Sequence, residues 1–143
     1  MIQLKSPREL ETMAAGGRIL AATHQHIKPA LQAGISTMEI DRMVESFIRS
    51  HPGATPSFKG LYGFPGSACI SLNDEIVHGI PSTKRLLKHG DIITVDIGVH
   101  YGGFHTDSAW SYAVGEISPA AKRLMEVTEQ SLFAAITECK LGN

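Results

Sequence analysis

The sequence predicts an α+β fold in which helices cover an antiparallel sheet. Helix signals lie toward both ends of the chain, over residues 7–26, 37–50 and 118–140. Between them, the two strongest strand patterns span residues 92–100 and 104–114 and flank a Gly-Gly turn typical of a hairpin. The length of 143 residues fits one domain, so we expect the chain to fold as a single unit.

Composition and charge exclude several classes of protein. Hydrophobic residues make up 43% of the chain and charged residues 19%, which excludes a disordered tail. The 13 lysines and arginines nearly balance the 14 aspartates and glutamates and form no basic stripe, so we expect no nucleic-acid partner. Because no apolar run can span a bilayer and residues 1–5 lack a signal-peptide pattern, we expect no membrane association. Two cysteines form no disulfide framework, which favours a cytoplasmic location.

The two N-terminal helices each begin with a capping box, in which a serine is followed three residues later by a glutamate. The pairs are Ser6 with Glu9 and Ser36 with Glu39. After the second pair, apolar residues recur on one helical face. Both signals predict helices that pack one side against a sheet.

The middle of the chain is predicted to be a long loop followed by two short strands. The loop, residues 51–67, is rich in proline and glycine, and loops of this length in compact domains are usually functional or disordered. Residues 68–73 and 75–80 are predicted as strands around a turn. Aromatic side chains in the loop indicate that it is ordered and lines a site: Phe58, Tyr62 and Phe64.

Two acidic residues, Asp96 and Asp107, interrupt the strongest strands. If Gly102 and Gly103 form a two-residue hairpin loop, the pleat places both aspartates on one face as diagonal neighbours, about 7–8 Å apart at the backbone. A three-residue loop would place them on opposite faces. The predicted aspartate face contains no lysine, arginine or glutamate, so it resembles the wall of a small polar cavity.

Two like charges on such a wall repel unless one is protonated or a cation lies between them. Carboxylate oxygens with histidines nearby suit Mn, Fe(II), Co, Zn or Mg. Two carboxylates cannot complete a coordination sphere, so further ligands must come from elsewhere. The alternative is that Asp96 and Asp107 are simply turn or edge residues in contact with water.

Other side chains have both a functional and a structural interpretation. His78 lies where the backbone must turn and can either bind a substrate or be a partly buried structural histidine. Cys69 is predicted as a small core residue, and a nucleophilic pair with His78 is the alternative. We expect His24 and His26 to contact carbonyls at a helix end and His51 to be solvated in a turn.

Three segments surround the residues singled out above. They read Ala-Cys-Ile-Ser-Leu-Asn-Asp-Glu-Ile-Val-His-Gly-Ile-Pro at 68–81, Gly-Asp-Ile-Ile-Thr-Val-Asp at 90–96 and Gly-Gly-Phe-His-Thr-Asp at 102–107. With Ile-Gln-Leu-Lys-Ser-Pro-Arg-Glu-Leu at 2–10 and Met-Ala-Ala-Gly at 13–16, they resemble the N-terminal half of type I methionine aminopeptidases. The resemblance covers essentially the whole chain.

The resemblance implies half of a pita-bread fold, in which two pseudo-symmetric halves surround a dinuclear metal site. It implies removal of the initiator methionine from nascent proteins whose second residue is small, by a metal-bound hydroxide that attacks the scissile carbonyl. Asp96 and Asp107 match ligands of two divalent ions (Mn, Fe(II), Co or Zn). His78 matches a catalytic residue that contacts the substrate near the scissile amide. Phe64 and Cys69 match positions near the pocket for the methionine side chain.

The family is longer than this chain, and its second half supplies a further histidine and two glutamates as ligands. We therefore expect residues 1–143 to form a metallopeptidase domain without its C-terminal half, with only part of the active site. A half-fold would expose a sheet edge and apolar surface, which predicts self-association or marginal stability. The implied partners are the peptide N-termini of nascent proteins, with ribosome association as a further expectation.

Two alternatives stay open beside this interpretation. One is a non-catalytic pita-bread module that binds peptides or a protein partner. The predicted pair of carboxylates on a cavity wall argues against this alternative, because a binding module does not need them. The other is a relative of the X-Pro dipeptidases, with the same fold and metal but a different substrate.

Overall fold

The computed structural model describes residues 3–142, so Met1, Asn143 and the first residue of the opening motif, Ile2, lie outside the described residues. Three helices and four strands form the fold of residues 3–142. In chain order they are α1 (Pro7–Ile27), α2 (Thr37–Arg49), β1 (Ala54–Pro56), β2 (Ala68–Leu72), β3 (Ile92–Tyr101), β4 (Phe104–Ala113) and α3 (Pro119–Glu138). Short 3-10 turns follow α1 and interrupt the segment between β1 and β2.

Strand β3 is the centre of an antiparallel sheet. One of its edges pairs with β4 along the whole hairpin, and the other pairs with β2 and then with β1, end to end. Gly102 and Gly103 form the hairpin loop with φ values of 58° and 85°, and positive φ at both positions is what a two-residue type I′ turn requires. The predicted hairpin register is confirmed, because Tyr101 pairs with Phe104.

The apolar face of the sheet is covered by α1 and α2, as predicted. Alternate residues of β3 are fully buried beneath the two helices: Ile93, Val95, Ile97 and Val99. The helices contribute their own fully buried side chains to the same core: Ile27, Ile40, Val44 and Ile48. Burial of each such side chain contributes about 1.5–3 kcal/mol, so this layer is the main source of stability.

Both predicted capping boxes are confirmed. The Ser6 hydroxyl accepts a hydrogen bond from the Glu9 amide, and the Glu9 carboxylate accepts one from the Ser6 amide at 2.7 Å. Ser36 and Glu39 repeat the arrangement at the start of α2. These local bonds fix where each helix begins and therefore which side chains face the sheet.

Two predictions for the middle of the chain are wrong. Residues 75–80 form no strand, because Glu75 Oε2 accepts a bond from the Leu72 amide and turns the chain away from the sheet. Ile76 and Val77, which suggested a strand, are exposed to solvent instead. The predicted loop over residues 51–67 contains β1, a three-residue strand that pairs with the end of β3.

The histidine predictions also need correction. His24 does not contact carbonyls at its own helix end; it is buried against β4, with Nδ1 3.0 Å from the Tyr112 hydroxyl and Nε2 3.2 Å from the Ser108 carbonyl oxygen. His26 stacks on the ring of Phe47, with centroids 4.4 Å apart. His51 is part-buried and places Nδ1 2.9 Å from the Phe47 carbonyl oxygen. Tertiary packing therefore decides the contacts of His24 and His26, whereas His51 makes a local contact at the end of α2.

Helix α3 projects from the sheet and has no buried residue. Five of its large apolar side chains are 39–64% exposed: Leu124, Val127, Leu132, Phe133 and Ile136. None of the helices within residues 3–142 is long and apolar enough to cross a membrane.

Candidate metal and peptide site

The polar face of the sheet and the segment between β1 and β2 enclose a cavity of about 510 Å³, here called the aspartate cavity. All five residues predicted to act in a site line it. They are Phe64, Cys69, His78, Asp96 and Asp107. These residues come from one loop, the three strands β2, β3 and β4, and an irregular segment, so only the tertiary fold brings them together.

Asp96 and Asp107 lie on the same face of the hairpin. Asp96 pairs with Ala109, and Asp107 pairs with Gly98, which makes the two aspartates diagonal neighbours as predicted. Asp96 Oδ1 is buried and has no hydrogen-bond partner among the described residues. A buried, unpartnered carboxylate oxygen beside a second carboxylate is the arrangement that a divalent cation satisfies.

The electrostatics of the pair agree with this interpretation. Burial, and then the neighbouring Asp107 carboxylate, raise the pKa of Asp96 to about 6. Two carboxylates this close resist simultaneous ionisation unless positive charge is present. The donor set of the cavity therefore fits a hard or borderline divalent ion.

Cys69 is buried and faces the same cavity, because it pairs directly with Asp96 across β2 and β3. Burial first, and then the two aspartates, raise the pKa of the Cys69 thiol to about 11. A thiol with such a pKa stays protonated near neutral pH, and the thiolate is the nucleophilic form. The structure thus argues against a nucleophilic Cys–His pair and leaves Cys69 as a small apolar wall residue.

His78 enters the cavity from the irregular segment between β2 and β3. Its φ of 61° is uncommon for a residue with a Cβ atom. Residues in such conformations occur often at functional sites, where surrounding contacts hold them. The imidazole is exposed to solvent and free to meet a ligand.

The segment between β1 and β2 forms the apolar side of the cavity. It contributes the aromatic residues suggested by the sequence, Phe58, Tyr62 and Phe64, together with Leu61. Phe58 lies directly over β3, since a Cβ atom on Gly98 would be only 2.6 Å from Phe58 Cε1. The absence of a side chain at position 98 therefore makes room for the ring.

Sequence reasoning did not assign three other wall residues: Gly63, Pro65 and Ile80. Ile80 lies in the quoted His-Gly-Ile-Pro run, but its apolar character suggested a strand instead of a wall. Pro65 belongs to a cluster that indicated only a turn. In each case the fold, and no local pattern, determines which side the residue faces.

Beyond the aspartates, the same sheet face holds a histidine pair. The rings of His100 and His105 are 4.6 Å apart, and His105 Nδ1 lies 2.9 Å from Ser57 Oγ. This cluster joins the hairpin end to the segment that carries Phe58. The contact between His105 and Ser57 therefore supports the position of that segment.

Comparison with known proteins gives a consistent result. The sequence profile of metallopeptidase family M24 matches residues 11–143. Methionine aminopeptidase 1 of Bacillus subtilis is 54% identical over 99% of this chain, which covers 56% of that relative. The crystal structure of methionine aminopeptidase from Thermotoga maritima superposes with a TM-score of 0.91 at 34% identity, covering 95% of this chain and 54% of that one.

A solved structure with lower sequence identity to this chain is named as a different peptidase. The Xaa-Pro dipeptidase from Bacillus anthracis superposes with a TM-score of 0.73 at 25% identity, covering 84% of this chain and 32% of that one. The predicted pita-bread architecture of helices and antiparallel strands is thus confirmed. The chain spans about half the length of the curated relatives it matches.

Proposed function

Because this chain belongs to metallopeptidase family M24, we propose that it supplies part of the active site of a metal-dependent methionine aminopeptidase. The proposed reaction hydrolyses the peptide bond that follows the initiator methionine of nascent proteins with a small second residue. High sequence identity to methionine aminopeptidases supports this substrate over an X-Pro dipeptide. The proposed partners are therefore peptide N-termini, met at the ribosome and in the cytoplasm.

One observation carries the proposal. Asp96 and Asp107 meet His78 at a cavity whose other side is apolar. A peptide with an N-terminal methionine has matching parts, since its side chain is apolar and its scissile amide is polar. The buried, unpartnered Asp96 Oδ1 beside the Asp107 carboxylate supports a metal-dependent enzyme over a simple peptide-binding module, because such an oxygen costs stability unless a ligand compensates it.

Asp96 and Asp107 would hold the divalent ions through their carboxylate oxygens, and Mn, Fe(II), Co and Zn all suit such ligands. When bound, the metal supplies Lewis acidity and an activated water nucleophile. Within residues 3–142, no group of three or more His, Cys, Asp or Glu side chains is arranged to hold a metal. The proposal assigns the remaining ligands, a histidine and two glutamates, to the part of the family fold that this chain does not span.

His78 is the proposed catalytic residue of this half. As a hydrogen-bond donor it would bind the carbonyl oxygen of the scissile amide as negative charge develops there. Phe64 and Cys69 would form the slot for the methionine side chain, together with the apolar wall around them. A flexible thioether fits a slot lined by aromatic rings, because sulfur–aromatic contacts are favourable.

Methionine release from the peptide Met-Ala-Ser tests the proposal. The assay uses this chain alone and this chain combined with the C-terminal half of the Bacillus subtilis relative, each with added Mn(II) or Co(II). We expect release from the combined protein, and its loss in Asp107→Asn. Asp74→Asn makes the same charge change at an exposed position outside the cavity, so it should leave release unchanged.

The other outcomes separate the alternatives. Hydrolysis of a Gly-Pro dipeptide in place of Met-Ala-Ser would favour an X-Pro dipeptidase. Peptide binding without hydrolysis in the combined protein would favour a non-catalytic module. Equal release by wild type and Asp107→Asn would refute the role of Asp107 as a metal ligand.

A further inference from the structure

The segment that carries His78 has little regular structure to hold it. It leaves β2 after Leu72 and returns to the sheet at Ile92, and His78 itself is exposed. The left-handed backbone at His78 is not the intrinsic preference of a histidine. Contacts of neighbouring residues must therefore decide where the imidazole lies.

Gly79, next to His78, contacts β2 directly. Its carbonyl oxygen accepts a hydrogen bond from the Ile70 amide at 2.8 Å, and its amide donates to Ser71 Oγ at 3.1 Å. A Cβ atom on Gly79 would lie 2.1 Å from the Ile70 carbonyl oxygen, so this stretch of backbone lies directly against β2. Gly79 and Ser71 are both buried.

The Ser71 hydroxyl takes the place of a backbone acceptor. Ser71 pairs with Thr94 of the neighbouring strand β3. Its side-chain hydroxyl, and not its backbone, is the group that accepts the hydrogen bond from Gly79. Without the hydroxyl, the buried Gly79 amide would lose its partner. An unpaired buried amide is costly, and the segment would move to find another acceptor or water.

We propose that Ser71 is a positioning residue that holds His78 at the aspartate cavity through the Gly79 amide. The role of His78 in catalysis rests on the proposed function, whereas the Ser71–Gly79 contact does not. The proposal predicts that removal of the hydroxyl changes the position and reactivity of His78 while the sheet stays intact.

The first test needs no enzyme activity. Ser71→Ala is made in this chain, and NMR measures hydrogen exchange of the Gly79 amide and the ¹⁵N signals of the His78 imidazole. We expect Gly79 exchange to accelerate about tenfold or more and the His78 signals to shift. Unchanged exchange and unchanged His78 signals would overturn the proposal.

Ser67 offers a matched control. It is a fully buried serine next to β2, but its Oγ has no hydrogen-bond partner among the described residues. Ser67→Ala removes the same atom from a similar environment and should leave Gly79 exchange and the His78 signals unchanged. If Ser67→Ala shifts them as much as Ser71→Ala, the effect is general loosening and the proposal is wrong.

The second test uses the combined protein of the methionine-release assay. Ser71→Ala should lower kcat about tenfold and change KM less than about twofold, because His78 acts in the transition state. In a His78→Ala background, Ser71→Ala should cause no further loss. Additive losses would refute action through His78, whereas an inactive wild type would refute the proposed function and leave the NMR test decisive.

Discussion

Gly98→Ala tests whether the aspartate cavity depends on the close contact between β3 and the segment carrying Phe58. A Cβ atom at position 98 would lie 2.6 Å from Phe58 Cε1 and 2.8 Å from Ser57 Cβ. Non-bonded carbon atoms prefer separations of about 3.5–4.0 Å, so the ring must move by about 1 Å or more. The Ser57 amide donates to the Gly98 carbonyl oxygen at 2.9 Å, which limits movement of the backbone.

Two opposing effects set the change in the free energy of unfolding. Forcing an extra methyl group into a packed contact costs about 1–3 kcal/mol. Replacing glycine by alanine inside a strand recovers about 0.5–1 kcal/mol. Because the Ser57 backbone is tethered, we expect overpacking to win and stability to fall by about 1–2 kcal/mol.

Urea denaturation followed by circular dichroism measures this change. A double variant with Phe58→Leu, which removes the ring, should recover part of the lost stability and serves as the matched control. A Gly98→Ala protein as stable as the wild type would refute the reasoning. Additive losses in the double variant would show that the Phe58 contact is not the cause.

Three further predictions concern the rest of the molecule. Burial lowers the pKa of His24, so the folded state binds fewer protons there than the unfolded chain. The contribution of neutral His24 to the free energy of unfolding should be fully present above about pH 6.5 and be lost as the pH falls through the lowered pKa. Urea titrations at different pH values should show a flatter profile for His24→Gln. Asp41 Oδ1 accepts hydrogen bonds from the Ser67 and Ala68 amides. Asp41→Ala should therefore lower the free energy of unfolding by about 2–4 kcal/mol, and Asp41→Asn should lower it less. Equal losses for the two variants in urea denaturation would contradict this. The exposed apolar side chains of α3 should make this chain self-associate in light scattering, less so with Leu132→Lys, and a monomer at all concentrations would contradict it.

The hairpin shows how far local signals reach. The Gly-Gly turn set the register of β3 and β4, and alternation with period two then placed Asp96 and Asp107 on one face. Likewise, each capping box determined a helix start through bonds between residues three apart. These features were predictable because every interaction that fixes them lies within a few residues along the chain.

The errors arise at contacts that the sequence pattern did not reveal. Residues 75–80 have a strand-like composition, but the Ser71 hydroxyl and the Glu75 carboxylate bind that region in an irregular path. His24 has the position of a helix-end residue, yet β4 surrounds it. The contact of His24 with β4 cannot be recognised from sequence spacing, because the long stretch of chain between them can close in many ways.

The sequence by itself determined the fold class, the hairpin register, the helix starts and, through its motifs, the family and the candidate site residues. Only the tertiary structure decided that five residues from five separate segments share one cavity, that Phe58 occupies the space above Gly98, and that Asp96 Oδ1 is buried without a partner within residues 3–142. Turns, caps and pleats arise from the backbone's local geometry. A cavity arises from packing between segments, whose distances no local preference specifies.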